Sequence, residues 1–251
     1  MLYTGLLSVT FRKLSAEQIV SLVVEAGLDG IEWGGDIHVP PGDVETAKAV
    51  RVMTEQAGLK VAAYGSYYRV GTGQSFEDVL SSASALGAPV IRVWAGNKGS
   101  AAADEAWWDA VVEDTRAIGE RAAQAGIRIA FEFHQNTLTD ELDATLRLLK
   151  AADHPNVYSY WQALRPFESG AYAGELEALT PWLTNVHVYY ISYGTRHSLE
   201  EGESVWDRYL AALPSGEDRY VMLEFVKDDA PEQFLQDAAT LKRIVKRANE
   251  A

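Results

Sequence analysis

Cysteine is absent from the 251 residues, and that gap removes several chemistries at once. Disulfides, thiolate-held metals and a cysteine nucleophile are all excluded. Basic residues are scarce: 22 Lys and Arg stand against 36 Asp and Glu, a formal net charge of −14. No Lys/Arg cluster offsets that balance, so the average surface repels phosphate backbones, and nucleic acid is not an expected partner. No apolar run approaches the roughly 18 residues of a membrane span. The start, Met1-Leu2-Tyr3-Thr4, lacks the basic segment and long apolar core of a secretion signal. A soluble, cytoplasmic protein without a membrane partner is therefore expected. Low-complexity stretches and linkers are missing too, and a hydrophobic content of 47% is too high for a disordered chain.

What is present is a rhythm. Glycine-containing turns open short apolar runs at Gly27–Trp33, Gly58–Tyr64, Gly87–Trp94 and Gly126–Glu132. A Gly that closes a helix just before a strand is common αβ punctuation. Leu2–Val9, Val157–Trp161, Val186–Tyr190 and Tyr220–Phe225 supply four further strands. Helical patterns fill the intervals. The first is capped by Ser15, with Gln18 completing a capping box, and runs through Ala26 with Ile19, Leu22 and Val23 on one face. The others cover about 43–57, 75–86, 104–125, 139–152, 172–181, 203–213 and 231–248. Eight strands alternate with eight helices, and 251 residues divided among eight units is about 31 each, the size of a βα repeat. The expected fold is α/β, a single (β/α)8 TIM barrel with residues 1–251 as one domain. The alternative, an open doubly wound sheet, lacks its Gly-rich phosphate turn after the first strand.

In such a barrel the C-terminal strand ends face the active site. Glu132 ends the fifth strand, followed by His134; Trp161 and Gln162 end the sixth; His187 lies in the seventh; Glu224 ends the eighth. The second strand brings Glu32 and Trp33, with His38 beyond, and the fourth brings Arg92 and Trp94. Phe131-Glu132-Phe133 and Leu223-Glu224-Phe225 each set one acid among large apolar neighbours. A buried carboxylate there must shift its pKa, pair with a cation or bind a metal. Two acids and a His at one mouth suit an O/N-ligated divalent ion such as Mn²⁺, Mg²⁺ or Zn²⁺. The plainer reading pairs each Glu with an Arg, for example Arg92 or Arg196, and makes His187 a core residue. Trp33, Trp94 and Trp161 are placed either to stack on a sugar ring or to pack the core. Trp107 and Trp108 point in different directions from their helix, and one of them is left to cover a loop or a homo-oligomer interface.

The chain resembles the xylose-isomerase-like TIM barrels. These are sugar phosphate isomerases and epimerases, grouped with endonuclease IV, ketose 3-epimerases, hydroxypyruvate isomerase and inosose dehydratase. The resemblance is carried by Gly30-Ile31-Glu32-Trp33 with His38, by Phe131-Glu132-Phe133-His134, by Asn185-Val186-His187-Val188 and by Leu223-Glu224-Phe225. It implies a divalent metal held by Glu132, His187 and Glu224. The family's Asp on the sixth strand has no counterpart; the chain reads Tyr158-Ser159-Tyr160-Trp161-Gln162, and Gln162 offers only a neutral amide oxygen.

The resemblance further implies proton transfer beside the carbonyl of a small carbohydrate. Glu132 and Glu224 would act from opposite sides through an enediolate. His38, Trp33, Trp94, His134, Trp161 and Arg196 would contact the substrate, the alternative for Arg196 being a solvated loop pair with His197. The expected activity is that of an isomerase or epimerase. A lyase or dehydratase using the same site is the alternative, as is a non-catalytic sugar-binding barrel, which the missing Asp would favour. An endonuclease IV activity is disfavoured, because five His are too few for its metal cluster and the net charge opposes DNA.

Overall fold

The computed structural model describes residues 1–164, 172–213 and 216–250. Strand β1 (Leu2–Leu7) leads through a short 3₁₀ turn to α1 (Ala16–Ala26). There follow β2 (Gly30–Gly34), α2 (Val44–Gln56), β3 (Lys60–Arg69), α3 (Glu77–Leu86), β4 (Val90–Trp94) and α4 (Glu105–Gln124). The second half contains β5 (Arg128–Phe131), α5 (Leu142–Ala152), β6 (Val157–Trp161), α6 (Tyr172–Leu179) and β7 (Leu183–Val188). A two-stranded hairpin, β8 (Ile191–Ser192) and β9 (Thr195–Arg196), precedes α7 (Glu203–Ala211), β10 (Arg219–Leu223) and α8 (Pro231–Glu250). The barrel strands pair in the order β1-β10-β7-β6-β5-β4-β3-β2 and close on themselves, with every pair parallel. This is a (β/α)8 TIM barrel. Among the described residues, no helix is long and apolar enough to cross a membrane.

Local signals set the boundaries. The Ser15 hydroxyl accepts from the Gln18 amide, and the Gln18 side chain accepts in turn from the Ser15 amide. Gly27 ends α1 in the left-handed conformation at φ 64°, which suits a residue without a Cβ. β7 begins at Leu183 rather than Val186. Its polar start is consumed by the sheet: the Thr184 hydroxyl donates to the Ser159 carbonyl at 3.3 Å, and the Asn185 carboxamide bridges Tyr160 Oη and the Tyr220 amide. The β8–β9 hairpin, unforeseen from sequence, turns through Tyr193 and Gly194, both at positive φ.

Side chains alternate across each barrel strand with period two. Ile31, Ile91, Val93, Ile129, Phe131, Val186, Val221 and Leu223 pack outward in one core shared with the helices. Leu7, Ala62, Val90, Ala130, Tyr160 and Met222 fill the barrel axis. The same parity that sends Ala130 inward sends Glu132 inward, and Tyr160 is followed by Gln162. The mouth therefore continues a packed barrel core with polar side chains.

Candidate active site at the C-terminal mouth of the barrel

Two acids extend the strands that carry them. The Glu132 amide donates to the Val93 carbonyl at 2.9 Å, and the Glu224 amide donates to the Val188 carbonyl at 3.0 Å. Ladder bonds thus fix both backbones where the chain turns into loops. Phe225, next to Glu224, adopts φ 51°, a conformation that costs a non-glycine residue energy and is found preferentially at functional sites. Above these residues opens a cavity of about 1050 Å³, lined in part by Tyr67, Trp94, Glu132, His134, Gln162 and Glu224.

Glu132, His187 and Glu224 are all buried, and each offers a ligand atom within 4.8 Å of the other two. His187 Nδ1 lies 3.6 Å from Glu224 Oε2, 3.9 Å from Glu132 Oε1 and 3.3 Å from Gln162 Oε1. Glu132 is heavily solicited by donors. Arg92 Nη1 and Trp94 Nε1 both reach its Oε2, and Gln162 Nε2 donates to its Oε1 at 3.1 Å. No donor among the described residues holds the Glu224 carboxylate, whose Oε2 is buried without a partner.

Beneath the triad lies a residue that sequence reasoning left outside the site. Glu32 is buried in the barrel, accepts from Arg92 Nε at 2.6 Å and approaches His187 Nε2 at 3.6 Å. Arg92 therefore bridges Glu32 and Glu132. Room for the pair comes from Gly65: a Cβ there would stand 2.5 Å from Arg92 Nη2 and 2.9 Å from Glu32 Oε1. Parity was the available signal, because Glu32 sits between the outward-facing Ile31 and Trp33.

The electrostatics follow from a charge count. Among the described residues, Glu32, Glu132 and Glu224 face one buried guanidinium, Arg92, which leaves two negative charges uncompensated when His187 is neutral. Burial favours the neutral form of Glu32, but Arg92 and His187 overcome it and hold the group at about 2. Glu132 is likewise lowered, as Arg92 and His187 outweigh burial. Among the described residues, no guanidinium contacts Glu224. Burial, reinforced by the Glu132 charge, pushes it up to about 7 against the pull of His187. His187 is itself raised, because Glu32 and Glu224 outweigh burial. In both cases protons are drawn in to offset the same two charges. A divalent cation would offset them directly, and the set of two carboxylates, one imidazole and one amide oxygen fits such an ion.

The other expected contacts divide. Trp94 and His134 line the cavity and stack at 4.5 Å between ring centroids. His134 Nδ1 faces the Gln135 carbonyl at 2.7 Å. Arg196 lines the cavity from β9, paired with Asp229 at 2.7 Å. Contrary to expectation, Trp33, Trp161 and His38 do not line the cavity. Trp33 and Trp161 have outward parity. Their indole N–H groups donate to Thr54 Oγ1 and Glu175 Oε2, and both rings are fully buried. His38 is locked below the rim between Ser8 Oγ at 2.9 Å and the Leu14 carbonyl at 3.1 Å. Lys13, which the sequence did not single out, lines the cavity, is exposed and makes no ion pair among the described residues.

Comparison with known proteins gives this geometry a context. The chain is 31% identical over 200 residues to a 3-dehydroshikimate dehydratase of Bacillus anthracis, covering 75% of this chain and 71% of the relative. A solved structure described as a probable 3-DHS dehydratase involved in petrobactin synthesis, from Bacillus anthracis, superimposes with a TM-score of 0.76 at 25% identity, over 96% of this chain and 99% of that one. A D-psicose 3-epimerase from Clostridium cellulolyticum H10 shares the fold at a TM-score of 0.71 and 15% identity, over 98% of this chain and 99% of that one. Residues 20–244 match the family described as the xylose isomerase-like TIM barrel, and the chain belongs to that family.

Proposed function

We propose that this protein is a dehydratase that removes water from a cyclic β-hydroxy ketone bearing a carboxylate, of the 3-dehydroshikimate class. The observation that carries this reading is the 31% identity to a dehydratase over three quarters of the chain. It favours the lyase alternative over the isomerase or epimerase expected first, and the two reactions share their opening step.

Glu132, His187, Glu224 and the Gln162 amide oxygen would hold a divalent cation, which when bound would supply Lewis-acid polarisation of the substrate carbonyl. The chain's own groups do the rest. A base must present a lone pair to the cavity. Glu132 is poorly suited, because Arg92, Trp94 and Gln162 draw on its oxygens. Glu224 lines the cavity with a carboxylate that no donor among the described residues holds. It takes the proton from the carbon beside the carbonyl, and the C–H electrons form the enolate. As the enolate collapses, the β C–O bond breaks, Glu224 returns its proton to the departing hydroxyl, and water leaves. One carboxylate thus serves both halves of the elimination, in place of two acting from opposite sides. Lys13 at the rim meets the substrate carboxylate as a charge-assisted donor.

The test is incubation with 3-dehydroshikimate. Loss of one water is expected by mass, together with rising ultraviolet absorbance as the ring becomes conjugated. Glu224→Gln should lower turnover by at least about a hundredfold with the fold intact. Retention of mass with solvent deuterium entering beside the carbonyl would return the reading to isomerase or epimerase.

A further inference from the structure

We propose that Glu32 is the positioning residue of the metal triad: it holds the His187 proton on Nε2 and so frees the Nδ1 lone pair for a cation shared with Glu132, Glu224 and Gln162. The inference rests on the metal reading of the triad given above. Its observation is a pair of orphans. His187 Nε2 and Glu32 Oε2 are both buried and have no hydrogen-bond partner, yet they face each other at 3.6 Å. The other Glu32 oxygen is occupied by Arg92 Nε at 2.6 Å, so the carboxylate cannot turn away without breaking a buried ion pair. The His187 ring is fully buried and packed edge-on against Tyr160 at 5.1 Å between centroids. Its two nitrogens therefore meet different surroundings: a single carboxylate oxygen at Nε2, and the oxygens of three prospective ligands at Nδ1. A ligating imidazole must have one unprotonated nitrogen, and a carboxylate behind the other nitrogen decides which.

The isosteric variant E32Q makes this testable with little loss of volume. An amide has one oxygen, and Arg92 Nε, which can only donate, keeps it. The amide NH₂ is then left facing His187 Nε2 and accepts nothing from it. The ring must move its proton to Nδ1, which turns a ligand lone pair into an N–H. The experiment measures Mn²⁺ affinity by calorimetry for wild type and E32Q. It also records long-range ¹H–¹⁵N spectra of the Zn²⁺-loaded wild type, where five His give a tractable set of ring signals. The expected results are a 10- to 100-fold weaker Mn²⁺ affinity in E32Q with an unchanged circular dichroism spectrum, and a His187 ring protonated at Nε2. Equal affinities in the two proteins, or a ring protonated at Nδ1 in the Zn²⁺-loaded wild type, would overturn the proposal and leave the metal reading standing. A wild type that takes up neither ion would defeat both. The ring spectrum needs only the wild type, so a poorly folding E32Q does not blunt the test.

Discussion

In metal-free protein, replacing Glu224 by Gln should stabilise the fold, and more so as pH rises. The wild-type carboxyl is pushed from 4.5 up to about 7 by burial. At low pH both the folded and the unfolded chain carry its proton, and the group has no effect on stability. As pH climbs past 4.5 the unfolded chain releases the proton first and gains free energy. The loss to the folded state is complete above about 7. A shift of that size corresponds to a penalty on the order of 3 kcal/mol, at about 1.4 kcal/mol per pH unit. His187 acts in the same direction, because its raised value contributes stability present below 6.5 and lost as pH rises. Glu32, held at about 2, acts oppositely, but it loses its contribution only as pH falls below about 4.5 and so lies outside the window.

The assay is thermal unfolding in EDTA at pH 5 and pH 8, followed by near-ultraviolet circular dichroism. E224Q should gain on wild type by roughly 6 to 12 °C between the two pH values, at roughly 2–4 °C per kcal/mol for a chain of this size. Adding Mn²⁺ at 100 times its Kd should return about 2.7 kcal/mol to the wild type at pH 8 and much less to the variant. A difference between the proteins that stays flat from pH 5 to pH 8, or that favours wild type at high pH, would refute the charge count.

Three further outcomes follow from the same geometry. Lys13→Ala should raise KM for a carboxylate-bearing substrate about tenfold with kcat little changed, the effect of losing one charge-assisted contact worth about 1.4 kcal/mol; steady-state kinetics on the acid and its methyl ester check this. Gln162→Asp should tighten Mn²⁺ binding about tenfold or more by adding an anionic ligand. It should also lower the melting temperature in EDTA, where the new charge faces Glu132 and the amide bonds to Glu132 and Phe133 are gone; calorimetry and melting together check both signs. Gly65→Ala should cost about 1–3 kcal/mol, because its Cβ meets the Arg92–Glu32 pair; urea unfolding reads this directly.

The residues differ in how legible they were before any coordinates. Glu132, His187 and Glu224 stood out because each interrupts an apolar strand, where a polar side chain is costly unless it is used. The alternation of strands and helices fixed the barrel for a similar reason: hydrophobic period and glycine caps are local, and the fold of this family is built from local units. For Trp33 and Trp161 the core-packing role holds and the substrate-stacking role does not, because strand-end position alone does not say which way a side chain points. Each sits one residue from an inward-facing Glu32 or Gln162, and period two turns it toward the helices. Pairings across the barrel were out of reach. Arg92 and Glu32 are 60 residues apart, and nothing local says that one guanidinium will bridge Glu32 and Glu132.

That bridge lets a structural ion pair and a functional acid coexist in one buried cluster. Glu132 does pair with an arginine, as a structural acid would. The pairing leaves Glu224 as the acid in the triad without a donor among the described residues, and the proposed chemistry rests on this inequality between the two carboxylates. Arg92 carries one positive charge against three carboxylates, so among the described residues two negative charges remain to attract a cation or to raise a pKa. Because one guanidinium serves Glu32 and Glu132, the third carboxylate is left over, and Gly65, by leaving room for the Glu32–Arg92 pair, is what permits the imbalance.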